Sequence, residues 1–160
     1  MHPNAEQIVR SATMLGLTLE VRTFPDGTRT AADAAAAVGT DIDSIVKSLV
    51  FVVDGRPDAP VLALVAGGNR LDEQKLALVA GVGAVSRADA DAVRTATGFP
   101  IGGVPPFGHP APIPTYVDRD LLDHDEVWAA AGTPHDVFAV DPAELVTAID
   151  AEVTDLAVTS

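Results

Sequence analysis

Residues 98–114 read GFPIGGVPPFGHPAPIP, and no other stretch limits the fold as strongly. The segment holds four of the chain's 13 glycines and six of its 12 prolines. Proline lacks the donor N–H and glycine adds backbone entropy, so neither a helix interior nor a central strand absorbs that density. The segment is therefore a loop. Its prolines restrict shape while its glycines permit positive φ or the close approach of a ligand, which serves either a rigid connection between strands or a shaped site.

The rest of the chain must build the scaffold around that loop. At 160 residues, it is expected to form one domain over 1–160, large enough to bury about two thirds of its unfolded surface. Hydrophobic residues make up 48% and charged residues 21%, and with only 4% aromatics the core must be filled by Ala, Val and Leu. Cysteine is absent, which excludes disulfides, a thiol nucleophile and thiolate metal sites. No apolar run reaches the ~18 residues of a membrane span. The first residues, MHPNAEQIVRSATMLG, carry no basic, apolar signal, so a cytoplasmic protein is expected. The formal net charge of −13, with only ten Lys and Arg, disfavours broad binding to nucleic acid. It leaves a small-molecule site, or a nucleic-acid end gripped locally by a few cations.

Periodicity and punctuation give the elements. HPNAEQIVRSATMLG spaces Ile8, Val9, Ala12 and Leu15 as a helix ending at Gly16. LTLEVRTF alternates as a half-buried strand, AADAAAAVG reads as a short helix, and SIVKSLVFVV and PVLALVA read as a hairpin at the centre of a sheet. LDEQKLALVAG predicts a helix with Leu71, Leu78 and Val79 inward and an exposed Asp72–Lys75 ion pair. SRADADAVRTATG predicts another capped by Ser86, with a short strand at GAV before it. After the loop come a strand at PTYVD, a hairpin from EVWAAAG and DVFAV, and a helix over DPAELVTAIDAEV capped by Asp141. Without a regular βαβ rhythm, the pattern predicts α+β, a mixed and partly barrel-like β-sheet with surrounding helices.

Lys47, flanked by apolar residues at the start of a central strand, has two readings. Its stem snorkels out of the sheet, or its ammonium stands at the mouth of a pocket, where it binds a phosphate or carboxylate or stabilises an oxyanion. Gly102 and Gly103 offer two adjacent N–H groups that suit an oxyanion hole or anion nest. No Gly-Lys-Ser/Thr follows them and no Gly-x-Gly-x-x-Gly opens a helix, which disfavours nucleotide triphosphate chemistry. His2, His109, His124 and His135 are not paired at metal-ligand spacing, so no metal or other cofactor is expected. His109 follows the loop glycines and His135 sits in GTPHDVF, within reach of a pocket; His2 and His124 are expected in solvent. No Gly-x-Ser-x-Gly elbow marks a serine nucleophile.

Five segments in order carry a resemblance: FPDGTRTAADAAAAVG, IVKSLVF, GGNRLDEQKLALVAG, TGFPIGGVPPFGH and VFAVDPAELV. Together they resemble the YbaK/ProX family, trans-editing aminoacyl-tRNA deacylases related to the insertion domain of bacterial prolyl-tRNA synthetases. The resemblance implies a YbaK/ProRS-associated fold with a pocket between the lysine strand and the glycine loop. It implies an enzyme of translation fidelity that hydrolyses the ester of a mischarged tRNA, with alanine or cysteine on the proline tRNA among the open choices. Lys47 matches the family's lysine and would position the terminal phosphate or ribose. Gly102 and Gly103 would be the oxyanion donors, with Pro106 fixing the bend. Pro106, Phe107, Gly108, His109 and His135 are expected to line the substrate side. The partners implied are the acceptor end of an aminoacyl-tRNA and an aminoacyl-tRNA synthetase. The rival is a non-catalytic module of the same fold that only holds a tRNA end, a nucleotide or a partner protein.

Overall fold

The apolar run at residues 61–66 becomes the spine of the larger sheet. The computed structural model, which describes residues 1–28 and 30–159, places it in β3 (Arg56–Ala66), antiparallel to β2 (Val46–Val53) across a two-residue turn at Asp54 and Gly55. Both turn residues have positive φ, 50° and 73°, the conformation that matches the twist of a tight hairpin. Residues 61–66 do not alternate with polar ones because both faces of β3 are covered. Leu62, Leu64 and Ala66 enter the main core, while Val61, Ala63 and Val65 enter a second one.

Around this hairpin the sheet has the order β4-β2-β3-β5-β8, with β4 (Val85–Arg87), β5 (Thr115–Asp118) and β8 (Glu152–Thr154). β4 is antiparallel to β2, whereas β5 runs parallel to β3 and β8 parallel to β5. A three-stranded antiparallel sheet, in the order β1-β7-β6, is built from β1 (Val21–Thr23), β6 (Val127–Ala130) and β7 (Asp136–Val140). A parallel bridge between Ile45 and Trp128 joins the sheets. The α+β architecture is as expected, and the two sheets meet without closing into a barrel.

Helices cover the sheets according to their apolar stripes. α1 (Pro3–Met14) and α5 (Pro142–Ile149) contribute Ile8, Ala12 and Leu145 to the main core, as does α4 (Ala90–Thr97) through Val93. α2 (Ala31–Val38) lays Ala34 and Ala35 against Trp128 and Val137, and α3 (Glu73–Ala80) seals the second core. Asp141 caps α5 as expected, accepting from the N–H groups of Ala143 and Glu144.

Several details differ from the sequence expectations. α3 buries Leu76 and Ala77, leaving Leu78 84% exposed, because the helix lies on the sheet by its 76–77 side. Asp72 and Lys75 are not an ion pair. Asp72 caps α3 through the N–H groups of Gln74 and Lys75, and the Lys75 ammonium reaches Asp155 (2.9 Å), Ala157 O (2.6 Å) and Thr159 Oγ1 (3.0 Å). Ser86 is not a cap: it pairs with Val52 in β4, and Asp89 caps α4 by accepting from Ala92 N. The last helix stops at Ile149, where Asp150 takes φ 52°, and residues 152–154 pair with β5 instead.

Candidate active site

β2 is paired along its whole length with β3, but its other edge is open in the middle. β4 reaches only Phe51, Val52 and Val53, with Ala88 N donating to Val50 O beyond them, and the Ile45–Trp128 bridge closes the opposite end. Between these contacts, residues 47–49 have no strand partner on that edge among the described residues. A hollow of about 330 Å³ lies there. Its walls come from β2 (Lys47, Ser48, Leu49), from the loop after α4 (Ile101, Gly102, Val104) and from the smaller sheet (Trp128, Ala129, Ala130), with Arg87 at the end of β4.

Lys47 is held from behind. Its ammonium donates to the main-chain oxygen of Asn69, in the turn after β3. That turn is fixed by Asp118, only 1% exposed at the end of β5, whose carboxylate accepts from Ala66 N (3.1 Å), Asn69 Nδ2 (2.8 Å) and Asp120 N (3.0 Å). Burial pulls the Lys47 pKa below its ordinary 10.5; the Asp118 carboxylate pushes it back up and the Arg87 guanidinium lowers it. The snorkelling alternative is thus half realised: the stem crosses apolar wall, and the charged head is tied to the protein.

The glycine pair is divided in its roles. Gly103 N donates to Pro100 O (2.9 Å), closing a turn, so its N–H is already engaged. The Gly102 N–H has no hydrogen-bond partner among the described residues, and Gly102, at φ 86°, lines the hollow. Gly103 is required for contact: a Cβ there would lie 2.8 Å from Thr133 Cα. Thr133 is itself fixed by Asp136, which accepts from the hydroxyls of Thr133 and Thr23, each at 2.5 Å.

The remaining residues expected at the site lie elsewhere. Past Gly103 the chain dives inward and buries residues 104–107, then emerges beside α1. Phe107 is a core residue, 5.7 Å between ring centroids from Phe138. Pro106, Phe107, Gly108 and His109 border a separate hollow with Ser11 and Met14. His109 Nε2 is 2.9 Å from Pro105 O, and burial lowers its pKa. His135 borders a third hollow with His2 and Pro134, its Nδ1 3.2 Å from Phe24 O.

Arg87, Asn69 and Asp118 escaped sequence reading, because their relation to Lys47 arises only from the pairing of β4 and β5 with the hairpin. Among the described residues the hollow is lined by no histidine, and the Ser48 hydroxyl has no hydrogen-bond partner, so no base activates a side-chain nucleophile. What the arrangement offers is a cation, a second cation at the edge, an uncommitted amide and apolar walls. That set suits binding an anionic, ester-bearing group and stabilising negative charge on its carbonyl oxygen.

Comparison with known proteins gives a consistent picture. The family described as the aminoacyl-tRNA editing domain matches residues 25–148. The proline–tRNA ligase of Nitratidesulfovibrio vulgaris is 33% identical over 110 residues, 69% of this chain and 18% of that protein, so the chain spans under a fifth of that relative. A candidate Cys-tRNA(Pro)/Cys-tRNA(Cys) deacylase, EbsC of Enterococcus faecalis, is 30% identical over 64% of this chain and 61% of its own. The crystal structure of a candidate trans-editing enzyme for prolyl tRNA synthetase superposes with a TM-score of 0.92 at 44% identity, covering 99% of both chains.

Proposed function

The chain belongs to the aminoacyl-tRNA editing domain family, and from that membership we propose that it hydrolyses the ester of a mischarged aminoacyl-tRNA, acting in trans as a single cytoplasmic unit. The observation that supports this reading is that Lys47 and Gly102, whose N–H is uncommitted among the described residues, line one largely apolar hollow that holds no activated nucleophile.

The chemistry rests on those groups. Water attacks the ester carbonyl, with the vicinal ribose hydroxyl of the terminal adenosine assisting removal of its proton. A new C–O bond forms, the carbonyl oxygen becomes an oxyanion accepting from Gly102 N–H, and the ester C–O bond then breaks as the proton passes to the leaving ribose oxygen. Lys47 and Arg87 hold the terminal phosphate so that the ester lies against the loop. Losing one oxyanion donor typically costs ~10²–10³ in rate. Such a second site has a rationale, since hydrophobic fit alone rejects a smaller amino acid weakly. The acceptor end is the substrate portion engaged, and a synthetase is the proposed source of the mischarged tRNA.

The test is release of amino acid from a panel of separately mischarged tRNAs, alanyl and cysteinyl proline tRNA among them, by wild type and Lys47→Ala in parallel. Removing one charge-assisted hydrogen bond is expected to slow turnover at least about tenfold, with far-UV dichroism unchanged. A folded wild type that leaves every tRNA in the panel charged refutes the deacylase and leaves a binding module.

A further inference from the structure

By strand alternation, the side chains of Val46, Ser48, Val50 and Val52 form the row of β2 that faces the main core. The three valines belong to that core. Ser48 interrupts them, and among the described residues its Oγ is the buried side-chain polar atom left without a hydrogen-bond partner. An orphaned buried hydroxyl costs free energy that alanine or valine would avoid, so its presence in an apolar row asks for a partner from outside the chain. The hollow is where such a partner can arrive. Ser48 lies on the open stretch of β2, is itself only partly buried, and lines the hollow.

The other hydroxyls of the hollow are committed to the framework: Thr28 Oγ1 donates to Pro134 O (3.1 Å) and Thr30 Oγ1 accepts from Asp33 N (3.0 Å). The side chains of Val104, Ala129 and Trp128 add apolar wall to the same hollow. Turning the Ser48 hydroxyl toward a ligand breaks no existing hydrogen bond, so its rotamer is available for recognition at little cost.

We propose that Ser48 selects the amino acid at this site, favouring an aminoacyl group whose own side chain bears a hydroxyl, serine or threonine, over alanine. This rests on the deacylase reading and names its substrate class. A substrate hydroxyl either donates to Ser48 Oγ or accepts from it, giving it the partner it lacks. An alanyl group lacks that oxygen and leaves Ser48 Oγ unpaired, and sites built around a substrate hydroxyl discriminate most strongly against the analogue lacking it. A thiol, a weak donor and weak acceptor, falls between the two.

The experiment uses the full chain and one proline tRNA charged separately with serine and with alanine, comparing single-turnover rates of wild type and Ser48→Ala. Wild type is expected to hydrolyse the seryl ester faster, and the seryl-to-alanyl ratio to fall about tenfold in Ser48→Ala, the worth of one net hydrogen bond. The variant is expected to melt at or above the wild-type temperature, since it loses an unpaired buried hydroxyl. An equal ratio in both proteins, or an alanyl preference in wild type, overturns the proposal. If wild type turns over neither ester but hydrolyses another member of the panel, the proposal is overturned; if it hydrolyses none of the panel, the deacylase reading fails and binding decides the role of Ser48. Trp128, the chain's single tryptophan, lines the hollow and reports that binding by fluorescence. Its titration with non-hydrolysable seryl and alanyl amides of 3′-amino-3′-deoxyadenosine must show tighter seryl binding that Ser48→Ala abolishes; equal affinities end the proposal.

Discussion

Lys47 has a pH signature set by its surroundings. Because its folded-state pKa lies below the 10.5 of the unfolded chain, the folded form loses its proton first as pH rises. Between the lowered value and 10.5 the unfolded state binds more protons, so this group's contribution to stability rises with pH across that window. The proposed activity moves the other way, since the ammonium is the form assigned to hold the phosphate. For the proposed deacylation, corrected for spontaneous hydrolysis, kcat/KM is expected to fall with an alkaline midpoint below 10.5, and a kcat/KM limb at or above that value would count against a role for Lys47. Gly103 gives a second expectation. In Gly103→Ala the new Cβ must displace the Thr133 backbone, expected to cost about 1–3 kcal/mol of stability as overpacking does, read from urea denaturation. A variant as stable as wild type would show that the 133 turn yields. That Lys47 and Gly102 line one hollow was foreshadowed in sequence because each broke a local rule, a charge in an apolar strand and a glycine pair in a proline-rich loop. Phe107, expected on the substrate side from its adjacency to those glycines, packs in the core against Phe138 instead of lining this hollow, since a phenylalanine gains from burial.

The elements themselves were readable wherever a capping residue or a strong period stood in the sequence. α1, α2, the start of α5 and the two hairpins fall where punctuation placed them, whereas the end of α5 gives way to β8. The errors cluster at α3 and α4, eight-residue helices too short for periodicity to fix a buried face or a start. Ser86 and Asp89 are both good caps, and only the pairing of β4 with β2 decides for Asp89. The same blindness hid the partner of Lys75, since Asp155, Ala157 and Thr159 are about eighty positions away. Lys75→Met removes all three contacts. Amide exchange over residues 155–159 is expected to quicken while Leu156, fully buried, still anchors the segment. Unchanged exchange would mean that Leu156 and the Leu71–Ala157 bridge suffice alone.

At the level of the whole molecule, a net charge of −13 repels a polyanion, so the proposed contact with tRNA would have to be local. The proposed site supplies two cations, Lys47 and Arg87. For a single-stranded acceptor end, two neutralised phosphates give a slope of log K against log salt of about −1.4. Titration of binding from low to moderate salt reads it directly, and a slope several times steeper would require a basic surface beyond this hollow. The hollow also lies on a seam. One wall belongs to the larger sheet and the other to the smaller; the Ile45–Trp128 bridge joins their backbones, and Val46 and Val50 of one share the main core with Val127 and Ala129 of the other. An occupant touching Ser48 on one side and Ala130 on the other is therefore a strut between two independently hydrogen-bonded sheets. Binding there stiffens residues 47–49, the stretch of β2 that no strand pairing ties to the smaller sheet among the described residues.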